Sequence, residues 1–256
     1  MSNNATPRSP RAPKISLPTL LMRWMAVPLA LVCFGSLAAR AGESTPPSRD
    51  AVRDFVGSNM LGIQDDPELP KIVRRWTKSP SISLSSFAAN AKETAFVKGA
   101  VDQVNTALNG VGVSLQNANA GDEGSDIQVY FVPYWKVRDF IRDHKLKLHK
   151  PHAYSDTWAT TAADHSLTKV LILLPIDTDK NKDLEHFVLS SIAGAMGIMN
   201  GAPFVSNSLL KVQMDATDNM VLNFLYTKLH IGDDLDKALA AFDEFWPPTE
   251  EAPPSN

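Results

Sequence analysis

The helix spaced over residues 184–199 constrains this chain more than any other stretch, because its two faces are unlike. On a wheel of about 100° per residue with Ser190 at the origin, Val188, Ile192, Met196 and Met199 cluster at roughly 200°. Leu184, Leu189 and Ala195 flank them, so this stripe must be buried. The opposite face carries His186, Ser190, Gly194 and Gly197, with Ser191 beside them. A glycine inside a helix costs about 1 kcal/mol relative to alanine. The strip of small residues therefore calls for close approach of another segment, or for a cavity.

Elements before and after this helix supply its packing partners. Residues 81–84 alternate apolar and polar, as a strand does. Residues 87–108 repeat Phe87, Ala91, Ala95, Val97, Val101, Val104 and Leu108 at helical spacing, and Asn109-Gly110 stops the helix. Strands are predicted over 111–115, over 126–133 and over 167–175, the last apolar enough to be largely buried. A short helix is predicted over 134–144, then a long polar stretch with little pattern over 145–166, and helices over 215–229 and 236–245. Residues 50–61 have helical spacing with Asp50 as cap. A four-stranded mixed sheet with helices on one face is the simplest arrangement.

The first 41 residues hold Arg8, Arg11, Lys14, Arg23 and Arg40 and no acid. Residues 24–37 form an apolar run that ends in Ala39-Arg40-Ala41. Basic region, apolar region and small-residue site read as a secretory signal peptide over 1–41, which places the body in the periplasm or outside the cell. The alternative is an inner-membrane anchor over 17–39, with Arg23 a cost within it. Cys33 follows Val32 rather than a small residue, which argues against lipidation. The remaining chain has 20 basic and 28 acidic residues, a net charge of −8 that argues against nucleic acid and anionic lipid as partners. Cys33 is the only cysteine, so the body has no disulfide or thiolate chemistry. Residues 42–70 read as a tether and short helix, 71–246 as one domain, and 247–256 as a Pro-rich, acidic, disordered tail.

Several residues are candidates for chemistry. His149 and His152, with His165 and Asp156 near in sequence, form a weak metal candidate in the polar stretch, and solvated histidines are the commoner outcome. His186 lies one turn before Ser190 but has no second ligand in reach by sequence. Asp177, Asp179 and Asn181 echo a calcium loop but lack its glycine and closing Glu; Asp183 or Asn181 as a helix cap is the better reading. Ser190 and Ser191 have no nucleophile elbow around them. Tyr130, Phe131, Tyr134 and Trp135 read as core or rim aromatics. No phosphate-cradling loop, dinucleotide fingerprint or CxxC pair is present.

The order of strands followed by this helix resembles the zincin fold of metallopeptidases. The active motif of that fold, His-Glu-x-x-His-x-x-Gly, sets two zinc ligands on one helix face and a Glu beside the bound water. Its positions fall here on Ser190, Ser191, Gly194 and Gly197, and only Gly197 matches. The chain is closer to a zincin-like family of unknown function in exported bacterial proteins, whose helix typically reads Glu-Glu-x-x-Gln-x-x-Gly-Leu-x-Asn. Gly197, Ile198 and Asn200 fit that pattern. Arg75-Trp76 upstream, and Thr217-Asp218 and the Leu225-Tyr226 run to Gly232 downstream, look like further family positions. The likeness covers residues 71–240.

The resemblance implies an α+β, zincin-like, mixed four-stranded sheet with helices packed on one face. It implies a degenerate metallopeptidase with no catalytic residue and no cofactor, zinc being unsupported by its ligands. It also implies peptide capture by strand addition along residues 167–174, with Val170, Ile172 and Leu174 on the edge. A peptide or an envelope protein is the expected partner. The alternatives are an active metal-dependent peptidase with non-standard ligands and a structural envelope protein.

Overall fold

A computed structural model describes residues 46–63, 69–86, 90–118, 124–147, 155–177, 183–200, 203–205 and 211–246. The expected signal region, the tail, His149, His152, Asp179 and Asn181 lie outside the described residues. The described residues, 46 to 246, belong to one compact unit with its own core. Among the described residues no helix is long and apolar enough to cross a membrane.

The sheet has five strands where four are expected: β1 (Ser81–Ser86), β2 (Gln116–Asn117), β3 (Ile127–Pro133), β4 (Asp156–Thr161) and β5 (Leu167–Ile176). Their order is β2-β1-β3-β5-β4, all parallel except β4, which runs antiparallel to β5. The helices are α1 (Arg49–Asn59), α2 (Ala91–Ala107), α3 (Val137–Asp143), α4 (Leu184–Gly194), α5 (Ala216–Thr227) and α6 (Leu235–Phe245).

Local chemistry sets most boundaries. Asn90 and Glu93 form a reciprocal capping box that starts α2, and Asp215 with Asp218 does the same for α5. Ser48, not Asp50, caps α1, its hydroxyl accepting from the Ala51 amide. Asp183 stands at the N-cap of α4 without a side-chain capping bond. The strand expected over 111–115 is absent. Gly110 and Gly112 both take positive φ (79° and 81°), so the chain is still turning there. The Asn105 amide then clamps the Leu115 backbone on both sides, at 2.7 and 3.1 Å, and pairing begins only at Gln116.

One sheet face carries Ile82, Val129, Phe131, Val170, Ile172 and Leu174 into the main core, against α2, α4 and α5. The other face is not bare, as helices on a single face would leave it. Phe140 of α3 packs there on Val132 and Leu173, with Val137, Ile141 and Trp158 around them. Strands β3 and β5 are thus covered on both faces, which is why β5 is unbroken apolar sequence from Val170 to Ile176, while β3 keeps one polar residue, the buried Gln128.

Candidate functional site

Helix α4 is shorter than its apolar spacing implies. It ends at Gly194, so Gly194 sits in the last turn and Gly197 beyond it. A side chain at Gly194 would meet nothing within 4 Å, so this glycine admits no close neighbour and faces open space. Gly197 is the opposite case. Its φ is +123°, and a β-carbon there would sit far closer than 3.0 Å to the Arg74 carbonyl oxygen and 3.2 Å from Leu225. The close approach expected of the small-residue strip is real, but it falls on Gly197.

The remaining motif residues surround that contact. The Trp76 indole donates to the Ala195 carbonyl at 2.9 Å, and the Tyr226 hydroxyl donates to the Met196 carbonyl at 2.8 Å. Both are buried, and together they satisfy carbonyls that the end of α4 leaves without helical partners. Burial pushes the Tyr226 phenol up, against the weaker opposing effects of the Trp76 backbone and the Arg75 charge. The Arg75 guanidinium lies 5.3 Å over the Tyr226 ring. Asn200 donates to the Ser58 carbonyl and ties the following turn to α1. Trp76, Gly197, Asn200 and Tyr226 therefore close off a helix end.

The positions expected of a zincin's ligands and base carry hydroxyls at Ser190 and Ser191 and no side chain at Gly194. Ser190 is half-buried and Ser191 buried. His186 holds its Nδ1 2.7 Å from the Lys211 carbonyl, with Phe187 and Phe204 against its ring. The Lys211 ammonium pairs with Asp215 at 2.6 Å and with the almost fully buried Asp218. Burial raises the Asp218 carboxyl. Burial also opposes the charge of Asp215, but Lys211 and nearby amides outweigh it and hold that carboxyl low. Asp156 opens β4 and His165 lies in the turn after it, at φ +68°, so a strand about 20 Å long separates them. Among the described residues no three His, Cys, Asp or Glu side chains form a metal-holding group. A hydroxyl at Ser190 and a hydrogen at Gly194 do not fit a zinc ion that needs imidazole.

The edge of the sheet is where sequence reasoning goes astray. Strand β5 pairs with β3 on one side and β4 on the other, so Val170, Ile172 and Leu174 are interior. The edge falls on β4, inside the stretch read as patternless. The ladder tells which of its groups face outward. The Val170 amide donates to Asp126 on the β3 side at 2.8 Å, so Val170 makes no ladder bond with its partner Ala159. By alternation, Thr157 and Ala159 direct their amides and carbonyls away from β5. Asp156 Oδ1 accepts from the Thr157 amide at 2.9 Å. Among the described residues the Ala159 amide and the Thr157 and Ala159 carbonyls are left facing the open edge. The Trp158 indole donates to the Lys147 carbonyl at 2.8 Å, which fixes the wall on the α3 side.

These features define a mixed α/β domain built on a five-stranded, mostly parallel sheet, with one antiparallel strand on its edge. No family model matches the chain, and no curated protein matches it. Among solved structures, one of myroilysin is 9% identical with a TM-score of 0.34, over 61% of this chain and 97% of that one. A second, the crystal structure of myroilysin, is 8% identical with a TM-score of 0.35, over 72% and 97%. A heterocyclase in complex with substrate and cofactor is 11% identical with a TM-score of 0.18, over 79% of this chain and 24% of that one.

Proposed function

We propose that this chain is an exported, zincin-like domain that acts by binding rather than by catalysis, and that it captures an extended peptide along β4. The observation that carries the reading is the pair of groups on Ala159, an amide and a carbonyl, that point away from β5. A strand laid beside β4 gains main-chain hydrogen bonds there, and its alternate side chains rest against the sheet's two faces. The motif positions of α4 support the non-catalytic half of the proposal, because Ser190, Ser191 and Gly194 supply neither imidazole nor a carboxylate base.

Ala159→Pro tests it. Proline is tolerated on an edge strand whose amide faces outward, so the β4–β5 ladder survives while the outward donor is lost. A peptide found by screening extended sequences against the unit from residue 45 onward should bind at least about five-fold more weakly to the variant, the net worth of one hydrogen bond. The melting temperature should stay near that of the parent. Undiminished peptide binding by the proline variant refutes strand addition at β4. One zinc per purified chain, lost in His186→Ala, refutes the non-catalytic reading.

A further inference from the structure

From Tyr134 to Lys147 the chain has a composition unlike the rest. Five basic residues stand against Asp139 and Asp143, a net charge of +3, whereas the other residues from 42 onward carry −11. The overall acidity of the body hides this element. It is held firmly in place: Val137, Phe140 and Ile141 of α3 pack on the sheet through Val132 and Leu173, and the rest of the helix surface faces water. Arg142 pairs with Asp139 and Asp143 at 2.9 and 3.0 Å, so both acids are neutralised within the element. Arg138, Lys145 and Lys147 are exposed and in no ion pair among the described residues. Just before α3, in a single 3-10 turn at the carboxyl end of β3, stand Trp135 and Tyr134, 72% and 52% exposed. No other large apolar side chain among the described residues is as exposed. Lys136 lies 4.8 Å over the Trp135 ring.

We infer that this element docks on an anionic phospholipid surface. Trp and Tyr combine an apolar body with a polar tip and settle at the headgroup level of a bilayer. Lysines and arginines beside them add attraction to anionic headgroups, a term that fades within a Debye length and is screened by salt. The rigid attachment of α3 to the sheet presents both kinds of group without an ordering cost. Apolar exposure is what singles out a membrane among polyanions, since a soluble polyanion would use the cations and leave Trp135 in water.

The test uses the compact unit from residue 45 onward, which lacks the apolar leader and retains its own core. It is sedimented with vesicles of equimolar phosphatidylglycerol and phosphatidylcholine, and with phosphatidylcholine alone. Binding should appear with the mixed vesicles and fall steeply as salt is raised. The variant Arg138→Gln/Lys145→Gln/Lys147→Gln should bind about a hundredfold more weakly, near five-fold for each cation removed. The control Lys92→Gln/Lys98→Gln/Lys237→Gln loses the same charge elsewhere and should bind nearly as the parent does. Trp135→Ala should weaken vesicle binding at unchanged net charge. The inference is overturned if neutral and anionic vesicles bind equally or neither binds. It is equally overturned if both triple variants lose the same amount, if Trp135→Ala has no effect, or if soluble polyphosphate binds as strongly as the vesicles do.

Discussion

Gly194 and Gly197 lie three residues apart in a motif that resemblance would treat as one unit, yet substitution should move stability in opposite directions. Gly197→Ala places a β-carbon on a residue at φ +123°, a conformation whose strain for a side chain is about 1–3 kcal/mol. The new carbon also collides with the Arg74 carbonyl, and that carbonyl has little room to retreat. The segment that carries it is pinned by Val73 to Asp233 at 2.8 Å, by Gly232 to Val73 at 3.0 Å and by Leu167 to Arg75 at 3.0 Å. Trp76 anchors the same segment to Ala195. Overpacking of this kind adds about 1–3 kcal/mol, for a total near 4 kcal/mol. That is a large share of the roughly 5–15 kcal/mol that holds a typical domain together. In a unit of this size it lowers the melting temperature by about 8–16 °C. Gly194→Ala meets nothing within 4 Å and should raise stability by about 0.5 kcal/mol, because alanine is the better helix former. Urea unfolding followed by circular dichroism measures both. A Gly197→Ala variant within about 0.5 kcal/mol of the parent, inside the usual range of a surface change, refutes the steric account, as does the same sign of change in both variants.

Two further substitutions probe buried hydrogen bonds. Tyr226→Phe removes the donor to the Met196 carbonyl and leaves that carbonyl buried, so the urea midpoint should fall by the equivalent of about 1–2 kcal/mol with an unchanged slope; an unmoved midpoint means the hydroxyl contributes nothing. Asp126 accepts from the Ser81 amide and hydroxyl and pairs with Lys78 at 3.1 Å. Burial works against its charge, but these partners outweigh it and hold the carboxyl below the ordinary 3.8. Its contribution to stability is therefore complete above pH 3.8 and is lost as pH falls through the lower folded value. Asp126→Asn should cost about 1 kcal/mol near neutral pH, and the gap between variant and parent should close in acid; a gap that widens below pH 3.8 contradicts the direction of the shift.

Much of the fold is legible because local signals agree with the tertiary outcome. The Asn109-Gly110 turn marks the end of α2, and the apolar stripe that runs through α4 and the turn after it is buried: Val188, Ile192 and Met196 are fully inaccessible. The start of α2 is less legible, since apolar spacing extends the helix back to Phe87 while the capping box of Asn90 and Glu93 begins it at Ala91. Strand β4 is not legible. In Asp-Thr-Trp-Ala-Thr-Thr a single large side chain stands among small polar ones, so no alternation rises above the background, and the strand exists because β5 offers it a ladder. The misplaced edge has a different origin. Val170 to Leu174 is apolar without alternation, the mark of a strand covered on both faces and so unsuited to an edge. Resemblance set the edge there against that signal. The roles of Trp76, Gly197 and Tyr226 were equally out of reach, since their meaning lies in contacts between residues as much as 150 positions apart along the chain, such as Trp76 with Tyr226 around one helix end.

The first and last described helices hold one another. Arg49 donates to the Trp246 carbonyl at 2.6 Å, and Arg53 reaches Asp243 at 3.0 Å. The polypeptide is therefore nearly a ring, and where it is cut matters less than that α1 and α6 stay clasped. A circular permutant that splices residue 246 to residue 48 through a short linker, and opens between the exposed Asn109 and Gly110, should fold to the same sheet. Deleting either helix alone should instead strip the cover from its mate, so each terminus acts as the other's lid.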